Sequence, residues 1–133
     1  MNGKDVLILA RTIFGEARGE STLGKIAVAW TVLNRVAAKS WYGDTITEVC
    51  RKPWQFSCWN SNDPNRPKLE AVTLNDPDFQ HCMYAALAAG LGHVPDPTSG
   101  SRHYHTMNVS PDWAQGKSPI CSIGVHKFYN DVV

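Results

Sequence analysis

Two carboxylates stand close together near the start of the chain. In IFGEARGES, residues 13–21, Glu16 and Glu20 lie four apart, with Arg18 between them and Gly15 and Gly19 beside them. Paired acids are what glycosidic-bond cleavage uses. One protonates the leaving oxygen and the other orients water or bonds to carbon, across about 5 to 9.5 Å. On a 100° helical wheel with Val6 at zero, the apolar stripe runs from Leu9 at about −60° to Phe14 at about +80°, and Glu16 falls near −80° at its edge. A carboxyl there, in the last turn of a buried helix, is partly desolvated and faces the negative end of the helix dipole. Both effects favour the protonated form, which is what a general acid needs. The competing reading is a surface glutamate paired with Arg18 or Lys25. Glu20 lies beyond Gly19, where the wheel ends. It is either a second carboxylate across a cleft or an acid near the N-terminus of the next helix, with capping favoured. The histidines offer a different chemistry. His103 and His105 alternate on an expected strand and His126 follows on the next, an arrangement that would suit a zinc-dependent amidase. No H-E-x-x-H or similar spacing supports it, so no metal and no cofactor is expected.

The elements that must position these groups follow from periodicity. Val6, Leu9, Ala10, Ile13, Phe14 and Ala17 repeat at helical spacing, and Gly19 is expected to end that helix. Ser21 or Thr22 caps a second helix with Ile26, Ala29, Trp30, Leu33, Val36 and Ala37 on one face; Val28 and Val32 make another side apolar too. Asp44 reads as the cap of a short third helix. Residues 52–68 (KPWQFSCWNSNDPNRPK) read as one long loop, functional because it is rich in aromatics. Asp76 caps a further helix with Pro77 in its first turn, stopped by Gly90 and Gly92. The segments RHYHTM and CSIGVHKFY alternate as strands do. The expected fold is a mainly helical α+β domain with a small antiparallel sheet near the C-terminus.

At 133 residues the chain fits one domain, residues 1–133. A net charge of +1, with scattered lysines and arginines, gives no reason to expect nucleic acid. No secretory signal and no transmembrane run is present, so membrane insertion is not expected. The five tryptophans fit either the core or the apolar faces of sugars. The four cysteines, Cys50, Cys58, Cys82 and Cys121, match neither a zinc nor a redox spacing.

Together the blocks ARTIFGEARGE (10–20), AVAWTVLNRV (27–36), WYGDTITEV (41–49), QFSCWN (55–60) and IGVHKFY (123–129) resemble the SleB-type cell-wall hydrolases, in order and spacing, over residues 7–129. The resemblance implies a lysozyme-like domain related to lytic transglycosylases, acting on the MurNAc–GlcNAc strands of peptidoglycan. It makes Glu16 the catalytic acid. Gln55, Phe56, Ser57 and Trp59 would then line the cleft, with Tyr104, His105 and Thr106 on the opposing β-wall and His126 shaping the sheet. Two outcomes follow: a 1,6-anhydro product through Glu16 alone, or muramidase-type hydrolysis with Glu20 or Asp63 orienting water. A non-catalytic peptidoglycan-binding module is the rival from another class. Phe14 replaces a common tyrosine, and Cys50 an apolar residue. A Cys50–Cys58 disulfide closing the aromatic loop is one pairing the resemblance leaves open. A monomer is expected, with the character of a phage lysin that reaches the wall with help from another protein.

Overall fold

The computed structural model describes residues 1–133. α1, Gly3–Ala17, is capped by Asn2, whose side chain accepts from the Asp5 amide, and buries Leu9, Ala10, Ile13, Phe14 and Ala17. The stripe read from the sequence is therefore its buried face. α2, Thr22–Ala38, begins at the Ser21 cap, whose hydroxyl accepts from Gly24 N–H, and ends on Lys39 in the left-handed region. α3 is Ile46–Arg51, α4 is Asn65–Ala71 and α5 is Pro77–Gly90. Packed against α2, α3, α4 and α5 alike, α1 is the central helix. Asp5 in its first turn also accepts from the Thr47 amide and hydroxyl at 3.2 and 2.7 Å, which ties α3 to it.

Three strands follow: β1 His103–Thr106, β2 Cys121–Ile123 and β3 His126–Tyr129, in the order β1-β3-β2 with both pairings antiparallel. The second β segment is thus a hairpin turning at Gly124–Val125. Register pairs Tyr104 with Phe128 and Thr106 with His126. Opposed residues share a face and neighbours alternate, so Tyr104, Thr106, His126 and Phe128 point one way. His103, His105 and Tyr129 point the other.

Several sequence expectations change. The cap of α3 is Thr45, whose hydroxyl accepts from Glu48 N–H at 3.1 Å, and not Asp44; the hydroxyl one residue nearer the helix reaches the free amide. Gly19 does not adopt a left-handed cap: α1 passes through Arg18 in the helical region, and Glu20 N–H closes back on Ala17 O. The stretch 52–68 is not one loop. It holds a 3-10 turn at Ser57–Trp59 and the first turn of α4, where Pro67 loses no bond because first-turn amides have no helical partner. No helix is long and apolar enough to cross a membrane.

Candidate active site

Glu16 sits in the last turn of α1, half-buried, facing the sheet. The Tyr104 hydroxyl, from β1, donates to its Oε1 at 2.6 Å. Burial is the dominant influence and raises the carboxyl above its ordinary range. The Tyr104 hydrogen bond pulls it down, the neighbouring Cys58 thiol and amide act in the same direction, and the Asp63 carboxylate pushes it up again. The net direction is upward, toward a proton held at higher pH. Tyr104 is itself pushed well above the ordinary phenol range by burial and by the neighbouring Glu16 charge, so it stays a donor.

Behind this pair lies Arg35 on α2, only 7% exposed. Its Nε donates to Arg102 O at 2.6 Å and an Nη to Gln55 Oε1 at 3.0 Å, and the guanidinium lies 5.0 Å from the rings of both Tyr42 and Phe56. No carboxylate pairs with it, and burial lowers its pKa while the charges of Tyr104, Tyr42, Cys50 and Glu16 act to raise it. A buried cation of this kind stabilises negative charge on Glu16 and Tyr104. Arg35 continues the side of α2 marked by Val28 and Val32, so a cation on a buried face was its signal in the sequence.

Glu20 is placed elsewhere. Its Oε1 accepts from Val125 N–H at 3.0 Å and lies 3.9 Å from Nδ1 of His126, a buried nitrogen with no hydrogen-bond partner. Gly124 between them has φ 58°, and a Cβ there would run into the Glu20 carboxylate. Glu20 therefore clamps the α1–α2 corner to the β2–β3 turn. The cap expected of it is filled by Ser21. His126 in turn packs edge-on to Tyr104, with ring centres 4.8 Å apart. Burial is the main reason its pKa is lowered; Glu20 opposes that shift and His105 adds to it.

The other expected site residues divide. Gln55 donates to Tyr42 O and Val49 O at 2.8 and 2.9 Å and accepts from Arg35, so its amide is occupied within the protein. Phe56 is buried beneath Arg35, while Ser57 is exposed at the start of the 3-10 turn. Trp59 is buried, and its indole N–H donates to Thr12 Oγ1 at 2.9 Å. Thr106 shares the Tyr104 face and donates to Asn108. His105 does not join Tyr104 and Thr106, because strand alternation turns it to the far face. There it bonds Tyr129 and the Thr106 carbonyl and packs on Trp113. The same alternation separates the histidines. His103 and His105 lie on one face and His126 on the other, and no three ligating side chains converge. Gly15, beside the acid, has a packing role. A Cβ there would lie 2.6 Å from Cys58 Cβ and 2.8 Å from Leu69, so the glycine admits the 3-10 turn and α4 against α1. All four cysteines are free thiols, which removes the Cys50–Cys58 disulfide. Beside the site, two hollows of about 270 and about 320 Å³ share Pro53 and Trp54 as a ridge, and Glu16 is in the wall of neither.

A model of the family described as cell wall hydrolase matches residues 19–129. The chain belongs to that family. The matched segment opens just after Glu16, so the acid lies outside it. The chain is 35% identical over 129 residues to a spore cortex-lytic enzyme of Oceanobacillus iheyensis, covering 93% of this chain and 41% of the relative. Among solved structures it resembles the catalytic domain of the germination-specific lytic transglycosylase SleB from Bacillus anthracis (TM-score 0.77, 29% identity, 96% of this chain and 95% of that one). The catalytic domain of the Bacillus cereus SleB protein is similar as well (TM-score 0.75, 29% identity, 96% and 90%). The chain spans from 34% to 43% of the length of the curated relatives it matches. The chain thus has the SleB-type domain fold expected from its sequence, mainly helical with a small C-terminal antiparallel sheet.

Proposed function

We propose that this domain cleaves the glycan backbone of peptidoglycan as a lytic transglycosylase, with Glu16 as general acid and then base. The observation that carries the reading is Glu16 itself: a carboxyl whose pKa is raised by burial, held in one orientation by a 2.6 Å bond from Tyr104. Glu16 gives its proton to the glycosidic oxygen as the C1–O bond breaks. Negative charge then appears on the carboxylate, where the Tyr104 hydroxyl, the Cys58 amide and the field of Arg35 stabilise it. The 6-hydroxyl of the same muramic ring attacks C1, and Glu16 takes that hydroxyl's proton. The result is a 1,6-anhydro sugar, with the acid restored and no water consumed.

The oxygens of the other acids nearby support a route without a second carboxylate. Glu20 is engaged by Val125 N–H, and Asp63 accepts from Asn65 N–H at 2.8 Å. The similarity to a named lytic transglycosylase points the same way. Mass spectrometry of digested peptidoglycan tests the outcome. Anhydro-muramic ends are expected, and free reducing muramic acid as the sole product would instead assign hydrolysis. In the same assay Glu16→Gln is expected to keep the fold and lose about a thousandfold in turnover. Full activity in that variant would remove Glu16 from the mechanism.

A further inference from the structure

The 3-10 turn that brings Cys58 to Glu16 also forms one wall of the hollow of about 270 Å³. Its lining includes three cations, Arg51, Lys52 and Arg66, and no acid. Only Arg66 has a carboxylate partner, Glu70 at 3.4 Å on the exposed rim. Arg51 and Lys52 are positioned without a carboxylate to neutralise them. The Arg51 guanidinium lies 4.4 Å from the Trp59 ring centre, Arg66 donates to Trp59 O at 2.7 Å, and Lys52 donates to Trp41 O. In a chain whose net charge is only +1, this is a local concentration of positive charge. The ridge residue Trp54 is 83% exposed and held at φ 69°, a backbone region that non-glycine residues rarely enter.

We infer that this hollow binds a free carboxylate of the peptide stem that muramic sugars carry, with Trp54 packed on the apolar surface beside it. The inference rests on the proposed action on peptidoglycan. The paired cations supply the charge match, with a guanidinium and an ammonium as complementary donors. Position selects the stem over the lactyl group. A carboxylate attached at the cleaved sugar stays beside Glu16, and Glu16 is not in this wall. In a stem-bearing strand the lactyl carboxyl is moreover the amide that joins the stem to the sugar, so its free carboxylates lie along the stem. A hollow of this size is also too small to track a nucleic-acid backbone.

The test compares three soluble glycan substrates: strands with stem peptides, the same strands with every carboxylate capped as a neutral methylamide, and strands stripped of peptide by an amidase. Steady-state turnover and equilibrium binding are both measured, on the wild-type chain, on Lys52→Gln and on Arg51→Gln/Lys52→Gln, after matched melting curves. Capping and stripping are each expected to raise the wild-type KM and Kd by about three- to tenfold with kcat unchanged. The double variant should show the raised values on all three substrates, and Lys52→Gln should fall between. Equal wild-type values on capped and uncapped strands would overturn the inference. So would a double variant that still discriminates. If capping has an effect while stripping has none, the lactyl carboxylate that stripping frees serves as well as the stem, and selection of the stem fails. A wild-type chain that cuts nothing, yet binds uncapped strands more tightly, would refute the catalytic reading and leave this one standing.

Discussion

At Glu16 two influences oppose each other. Burial favours the protonated form, while the bond from Tyr104 and the neighbouring Cys58 favour the proton's departure. A general acid needs both, because it must hold a proton before the reaction and tolerate its loss during it. Activity that depends on the protonated form is present at low pH and declines as pH rises through the raised pKa. Tyr104→Phe keeps the ring against His126 and Phe128 but deletes the hydroxyl. Without that bond the carboxyl pKa moves further up, so the alkaline limb of kcat/KM is expected to shift to higher pH. kcat itself should fall by about tenfold or more, since the carboxylate loses a stabilising donor. A pH–rate profile of wild type and variant reads both changes, and a limb moving to lower pH would contradict the account. The edge position of Glu16 was legible in the sequence because it follows from the repeat of one helix. Its partner was not. Tyr104 is 88 residues away, and periodicity assigns residues to faces without saying which faces meet.

Between elements, Glu20 acts as a clamp. Its carboxylate ties the corner between α1 and α2 to the β2–β3 turn, and so holds His126 against Tyr104 and Tyr104 against Glu16. Glu20→Gln retains an oxygen for Val125 N–H and should keep turnover within about threefold of wild type, whereas a water-orienting carboxylate would lose far more. Glu20→Ala removes the clamp and is expected to lower stability by about 1 kcal/mol, visible as a lower Tm, with Glu20→Gln nearer wild type. Helix positions were readable here because caps and stripes are local: Ser21 and Asp76 both cap as their sequences suggest. The role of Glu20 was hidden because it depends on Gly124, a distant glycine with neither a Cβ nor an ordinary φ. The role of Gly15 was hidden for the same kind of reason. Its lack of a side chain serves Cys58 and Leu69, residues that no local pattern brings to α1.

Over the whole molecule, stability comes from packing around α1, without covalent links. Cys50 and Cys82 are buried, and burial pushes both thiols up to about 12; Cys58 moves in the same direction. Protonated thiols out of reach of water are poor nucleophiles. Brief iodoacetamide treatment of the native chain should label Cys121 alone, the one half-exposed cysteine, and all four after denaturation. Dithiothreitol should leave Tm and turnover unchanged, and a lower Tm in reductant would mean that a disulfide forms. The α+β class was readable from composition and periodicity, but the division of the sheet into two faces with separate tasks needed the register. One helix carries both the acid and the centre of the core, while the cationic hollow is built from segment 51–66 at the surface. Under the proposed function, that separation has a practical consequence for anyone wishing to redirect the domain toward a different peptidoglycan. Libraries that randomise the exposed positions of 51–66 can vary recognition while most clones still fold; libraries on α1 would discard most of their members before any substrate is offered.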